Sequence, residues 1–310
     1  MTALLDVILP VFVLILAGYL AARFGALSAS AVDGIMTYAQ SFALPVLLFR
    51  AIAALDLTAA YDTGLMASFY IGAFAAFALV FAAARFGFAR SLPESVAAGF
   101  AGYFSNTLLL GIPITERAYG ADALAGNYAI ISVHAPLLYT FGIIAMVLVR
   151  STGTGTLTLA KTAVIGIFSQ PLVIGILCGF ALNLSHIPMP SIVDSASEMM
   201  ARSGIPAALF GLGGVLLRYR PQGEIKLIAL VVFAALILHP ALTYTLGRAA
   251  FDLDTNALRS ATLTAAMAPG VNAYMFAHMF GVGRRIAASA VLIGTAGAIA
   301  TTWVWLQILP

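Results

Sequence analysis

Apolar residues run along this chain in blocks of membrane length, and the polar residues are gathered into the short gaps between them. Windows of about 19 residues give ten such blocks, near 4–22, 34–55, 63–84, 95–119, 124–149, 162–184, 192–216, 226–247, 257–280 and 286–308. A bilayer offers no partner to a bare N–H or C=O, so each block is predicted to close its own hydrogen bonds as a helix. The pattern therefore predicts an all-α membrane protein with ten transmembrane helices. The first block is expected to be a structural helix and not a cleavable signal, because no Lys or Arg precedes it and its apolar run is too long.

Two blocks carry residues that a continuous helix resists. The fourth contains SNTLLLGIPIT at 105–115, where Gly111 tolerates a non-helical backbone and Pro113 lacks the N–H and crowds the carbonyl four residues back. A half-helix, an unwound link at Gly111–Pro113 and a second half-helix starting near Pro113 are predicted, proline being favoured in a first turn. The ninth contains AMAPGVNAYMF at 266–276, with Pro269, Gly270 and Asn272. Interrupted segments at corresponding places in two halves point to the binding site of a secondary transporter.

The halves are related by an internal repeat. LPVFVLILAGY at 9–19 lines up with QPLVIGILCGF at 170–180, so that Pro10 falls on Pro171 and Gly18 on Gly179. The same offset of 161 carries ALPVLLF at 43–49 onto GIPAALF at 204–210, Pro45 onto Pro206, and Gly120 onto Gly281. Five helices is an odd number, so the second copy enters the membrane from the opposite face, as an inverted repeat. The organisation expected is a first five-helix repeat over 1–150, a connector over 151–161 with STGTGTLT as its low-complexity part, and a second repeat over 162–310. Pro45 and Pro206 are predicted to kink their helices, to free the carbonyls near Ser41 and Arg202, and to flank the crossing of the fourth and ninth helices.

With 62% hydrophobic and 9% charged residues, the chain is far from the roughly one quarter charged of a soluble domain. Charge bias then orients it. Loops after odd-numbered blocks hold Arg23, Arg85, Arg90, Arg150, Lys161, Arg218, Arg220, Lys226, Arg284 and Arg285, whereas the opposite loops hold Arg117, Arg248 and Arg259. Basic residues stay preferentially on the cytoplasmic side, which puts both termini outside. The net charge of +3 follows from this bias and calls for no nucleic acid. The lone Cys178 is expected to pack as a small hydrophobe.

Ten helices in inverted halves, Asn106 with Gly111, Ile112 and Pro113, and the looser Ala268-Pro269 followed by Asn272 resemble the auxin efflux carrier family. That family includes plant auxin exporters and bacterial permeases for malate, malonate and similar acids. The resemblance covers the whole chain, which looks like a compact bacterial member of the inner membrane. It implies a scaffold of helices 1, 2, 6 and 7, transport helices 3–5 and 8–10, substrate at the crossing of helices 4 and 9, and a homodimer through the scaffold. The bile-acid sodium symporters resemble the same architecture, and a sodium-coupled carrier of that kind is the alternative reading.

The chemistry available at such a crossing is anion binding. Half-helices beginning near Pro113 and Pro269 each present unpaired N–H groups and about half a positive charge. Two such ends would hold a carboxylate, with Asn106, Thr107 and Asn272 adding neutral hydrogen bonds either to it or to the broken backbone. Arg50 and Arg202 are charges at depth, costly enough to need a partner or a purpose, in gating for example. Glu198 stands four residues before Arg202, the favourable order for an ion pair, whereas Arg50 has no local carboxylate. His134 is the candidate for proton coupling or gating, and His239 is expected to pack or hydrogen-bond. Proton coupling, sodium coupling and downhill transport stay open. The interrupted segments contain no Asp or Glu over 95–115 and 257–280, which disfavours a strong sodium site. No metal site or cofactor is expected, two separate histidines making no ligand cluster. An enzyme would need a nucleophile with its base, a metal cluster or an acidic pair at depth, and the sequence offers none. A channel or sensor on this scaffold is the remaining rival, to be told apart by steady single-channel currents.

Overall fold

Wherever a proline follows a helical turn in this chain, the turn tends to widen. A computed structural model describes residues 3–150 and 165–310; the connector expected over 151–161, with Lys161, lies outside the described residues. Among the described residues five turns are π-helical, and four of them, Ala3–Ile8, Ala39–Ala43, Thr107–Gly111 and Ala234–Leu238, end two residues before Pro10, Pro45, Pro113 and Pro240. A proline ring collides with the carbonyl four residues back; bonding to the fifth residue back instead widens the turn and moves that carbonyl aside. Pro136 and Pro206 sit inside α-helices that continue through them. The kink expected near Ser41 is thus a wide turn, while no matching turn precedes Pro206.

Among the described residues, seven helices are long and apolar enough to cross a bilayer: α1 (Leu5–Arg23), α2 (Ala29–Ala53), α3 (Thr63–Gly87), α6 (Ala125–Val149, after a short turn), α8 (Ser191–Leu216), α9 (Ile225–Ala249) and α12 (Arg284–Ile308). A shorter apolar helix, α7, spans Pro171–Ser185. The remaining two blocks are helical in pieces, α4 (Leu92–Tyr103) with α5 (Ile112–Tyr119), and α10 (Thr255–Ala265) with α11 (Val271–Phe280). Among the described residues there is no β-strand, only an isolated antiparallel bridge between Ser105 and Pro269.

Glycines let helices approach to backbone contact. A Cβ on Gly18 would lie 1.8 Å from the Phe210 carbonyl oxygen, and one on Gly179 would lie 2.7 Å from that of Phe49, so α1 presses on α8 and α7 presses on α2. Such small-residue seams are how helices gain packing where lipid is as apolar as the side chains. The two contacts exchange with each other under the 161-residue offset of the sequence.

Loop contacts sort the molecule into two faces. On one, Arg218 pairs with Asp33 at 2.8 Å, Arg90 with Glu224 at 2.8 Å, and the Gln222 N–H donates to Ser289 Oγ at 2.8 Å. On the other, Asn183 donates to the carbonyls of Ile52, Ala53 and Leu55, Arg117 holds the Asp6 carbonyl, and Arg259 that of Pro310. Cys178 is exposed on α7, a position facing outward and not the packed one expected of it.

Candidate functional site

The interruption in the fourth block lies at Phe104–Asn106, not at Gly111–Pro113. Gly111 is helical, with φ −62° and ψ −52°, and Pro113 rides in the first turn of α5, which continues the wide turn Thr107–Gly111. The wide turn absorbs the proline, so no unwinding is needed there. What ends α4 instead is tertiary: the Asn106 N–H donates to the Ala268 carbonyl and the Gly270 N–H to the Phe104 carbonyl, each at 2.8 Å. Two non-helical links thus satisfy each other's backbone groups through an isolated antiparallel bridge.

Each link launches a new helix. Asn106 is the cap of the first, its side-chain oxygen accepting from the Leu109 N–H at 3.4 Å while its own carbonyl accepts from Leu110 and Gly111 at 3.3 Å. Gly270 precedes the second with an extended backbone, φ −72° and ψ 157°. Among the described residues no protein acceptor meets the N–H groups of Leu108, Val271 or Asn272, the orphan donors of a helix start. The side chains of Thr107 and Asn272 likewise have no hydrogen-bond partner there.

These groups line one cavity of about 760 Å³. Its far wall comes from α2, α7 and α8, including Ser41, Leu48, Gln170 and Ile176, and its near wall from the first link, α6 and α11. It reaches the Asp33–Arg218 pair and Tyr219, hence the face bearing that loop. Burial and the neighbouring Tyr274 push the Tyr219 phenol above its ordinary value, although Arg218 pulls the other way, so it stays a neutral donor. A second cavity of about 400 Å³ lies toward the opposite face, lined by Pro113, Glu116, Arg117, Arg202 and Pro206 among others. The apolar cluster of Leu48, Ile52, Ile112, Leu124, Ile131 and Ile176 touches both, since Leu48, Ile131 and Ile176 line the larger and Ile112 the smaller.

Of the residues singled out from the sequence, Asn106, Thr107, Asn272 and His134 meet at the larger cavity. Pro113 and Pro206 line the smaller one. Gly111 is buried, 3.7 Å from Met267 at the position a Cβ would take, and Pro269 is wedged against Gly294 of α12. Pro45 is buried where Gly175 of α7 approaches its carbonyl. Arg50 finds its carboxylate across the molecule: one guanidinium nitrogen lies 2.5 Å from Asp194 Oδ1 and 2.6 Å from Ser197 Oγ of α8. Arg202 pairs with Glu198 as the spacing predicts, on a side chain 79% exposed. His239 is satisfied, its Nε2 donating to the Phe69 carbonyl at 3.1 Å and its Nδ1 facing Ser105 Oγ at 3.5 Å.

One residue escaped the sequence reading. Asn127, fully buried in α6, donates to Thr115 Oγ1 of α5 at 3.2 Å and to Thr264 Oγ1 of α10 at 2.7 Å, tying the two interrupted segments together. A lone Asn near the start of an apolar block was the available signal.

The arrangement gathers uncharged donors from two helix starts around a cavity inside an apolar protein, chemistry suited to a small anion. Comparison with known proteins bears on what that anion belongs to. Residues 3–306 match the model of a family described as membrane transport protein. This chain belongs to that family, the one that contains the auxin efflux carriers. A relative in Rhizobium meliloti (strain 1021), named "Putative malonate transporter", is 25% identical over 97% of this chain and 94% of its own length. A mouse lysosomal cholesterol signaling protein is 26% identical over 78% of this chain, which covers 29% of that much longer protein. A probable auxin efflux carrier component 5b of Oryza sativa subsp. japonica is 26% identical over 44% of this chain and 38% of its own length. The chain is a transport protein and not an enzyme, multi-pass and integral to the membrane.

Proposed function

We propose that this protein is a secondary transporter that carries a small organic anion, of the class of malonate, across the cytoplasmic membrane of a bacterium. The observation that carries the reading is the cavity in which unpartnered N–H groups of Leu108, Val271 and Asn272 and the side chains of Asn106, Thr107 and Asn272 converge from the two interrupted segments. A carboxylate accepts from several such donors at once, and helix starts favour its charge without a buried cation to desolvate.

In this reading the ten helices form two inverted repeats, α1, α2, α7 and α8 make the scaffold, and α3–α6 with α9–α12 move against it. The exchange of the Gly18–Phe210 and Gly179–Phe49 contacts under the sequence offset supports the repeat. The position of both cavities along the boundary between those two sets of helices supports the division. The Arg-rich face is cytoplasmic, so the larger cavity opens inward while the apolar cluster around Leu48 and Ile112 seals the path outward. Rocking the transport helices would close the first cavity and open the second, exchanging access around a fixed site. Two copies associate through the scaffold, a part that rests on family resemblance.

Purified protein in proteoliposomes tests this. Saturable uptake of labelled malonate above empty vesicles is expected, with sodium and proton gradients imposed separately to identify the driving ion. Absence of uptake across a panel of mono- and dicarboxylates, or steady channel currents in a planar bilayer, would refute it.

A further inference from the structure

His134 lines the larger cavity, is only 2% exposed, and has no hydrogen-bond partner for either ring nitrogen. Its surroundings are aromatic: Phe104 of the first link lies edge-on at 4.7 Å between ring centroids, and Phe69 of α3 at 5.7 Å. The Ser105 carbonyl is near but makes no hydrogen bond of normal geometry with it. Phe69 also packs edge-on against His239, at 4.7 Å between centroids, a histidine equally buried yet bonded to the Phe69 carbonyl and facing Ser105. A buried polar group without a partner is costly, so two such nitrogens on one ring are not a packing convenience. The same interior accommodates a satisfied histidine one aromatic ring away, which makes the difference at His134 specific to its place on the cavity wall.

We infer that His134 is a specificity-determining contact, donating a hydrogen bond to the second carboxylate of a short dicarboxylate whose first carboxylate sits at the helix starts. This rests on the organic-anion reading above and deepens it by naming the residue that holds the second carboxylate. Phe104, against which the His134 ring packs, and Leu108, whose N–H is unpartnered, stand four residues apart on the first link and the turn it launches, so both donor sets belong to one stretch of the cavity wall. A neutral imidazole always carries one N–H, enough for this bond without any change of protonation. The ring is held edge-on by its two phenylalanine neighbours and so is oriented before the passenger arrives, which lowers the ordering cost of binding.

The test compares malonate with propionate, in which a methyl group replaces one carboxylate. Affinities of both for purified wild type, His134→Phe and His134→Gln are measured by equilibrium dialysis. His134→Phe keeps an aromatic ring between Phe69 and Phe104 and removes both nitrogens. The expected result is a loss of malonate affinity of about tenfold or more in that variant. Propionate affinity should stay within about twofold, and His134→Gln, which restores an N–H, should recover part of the malonate preference. Retained propionate binding doubles as proof of folding, and His134→Leu carries the same comparison if the Phe variant does not purify as a single species. Equal losses for both acids, or an unchanged preference for malonate, would overturn the assignment while leaving the transport reading intact. Wild type that binds neither acid would overturn the transport reading and this assignment together.

Discussion

The two interrupted blocks of this membrane protein reach similar geometry by different means. In the ninth, the local sequence suffices: Pro269 and Gly270 lie in the link, and α11 starts at Val271, two residues past the start expected near Pro269. In the fourth, the local proline does not break the helix at all. A wide turn takes up Pro113, and the unwinding falls at Phe104–Asn106, where bonds to Ala268 and Gly270 replace the helical ones. The first link therefore depends on the second more than the second depends on it. Breaks set by covalent geometry can be read from sequence, and breaks set by a partner strand cannot.

The largest effects should come from the side chains that each link aims at the cavity, and they should differ in kind. Asn272→Ala and Asn106→Ala are each expected to cut malonate uptake by at least about tenfold, the worth of a hydrogen bond to a charged group. Asn272 bonds no protein group through its side chain, so its variant should melt with the wild type. Asn106 also caps the following turn, so its variant should lose about 1 kcal/mol as well. Uptake and melting temperature measured on the same preparations make the distinction, and equal melting of both variants would erase it.

Next comes the buttress behind Pro269 of the ninth block. A Cβ on Gly294 would sit 2.6 Å from the Pro269 ring, so Gly294→Val should displace the second link and cost about 1–3 kcal/mol, read as a lower melting temperature and lost uptake. Gly111→Ala is the contrasting change, because Gly111 is helical and a Cβ there meets its first neighbour at 3.7 Å. It should be neutral or stabilise by up to about 1 kcal/mol, the helix propensity gained over glycine, with uptake preserved. A severe loss from this substitution would mean that the fourth block does unwind at Gly111 in some part of its cycle. The smallest effect belongs to Arg202→Ala, which removes an exposed pair with Glu198 and should change stability by about 0–1 kcal/mol.

Most of the fold was legible because its causes are local. Apolar run length marks the helices, and proline position marks four of the five wide turns, since a ring without an N–H disturbs its own turn wherever the rest of the chain goes. Asn106, Thr107 and Asn272 were legible as polar residues beside helix-breaking ones. What was not legible lies between distant segments. Arg50 has no carboxylate within reach along its own helix and finds Asp194 on another. Asn127 acquires its meaning only when Thr115 and Thr264 arrive beside it. The two buried histidines look alike in sequence, and only their neighbours separate the satisfied His239 from His134.

Binding of labelled malonate to purified protein, measured for the wild type and for the double variant Asn106→Ala/Asn272→Ala, tests most directly whether the two helix starts jointly hold an organic anion. Saturable binding to the wild type is expected, and none to a double variant that remains folded by its melting curve. Binding of equal affinity to both proteins would contradict it.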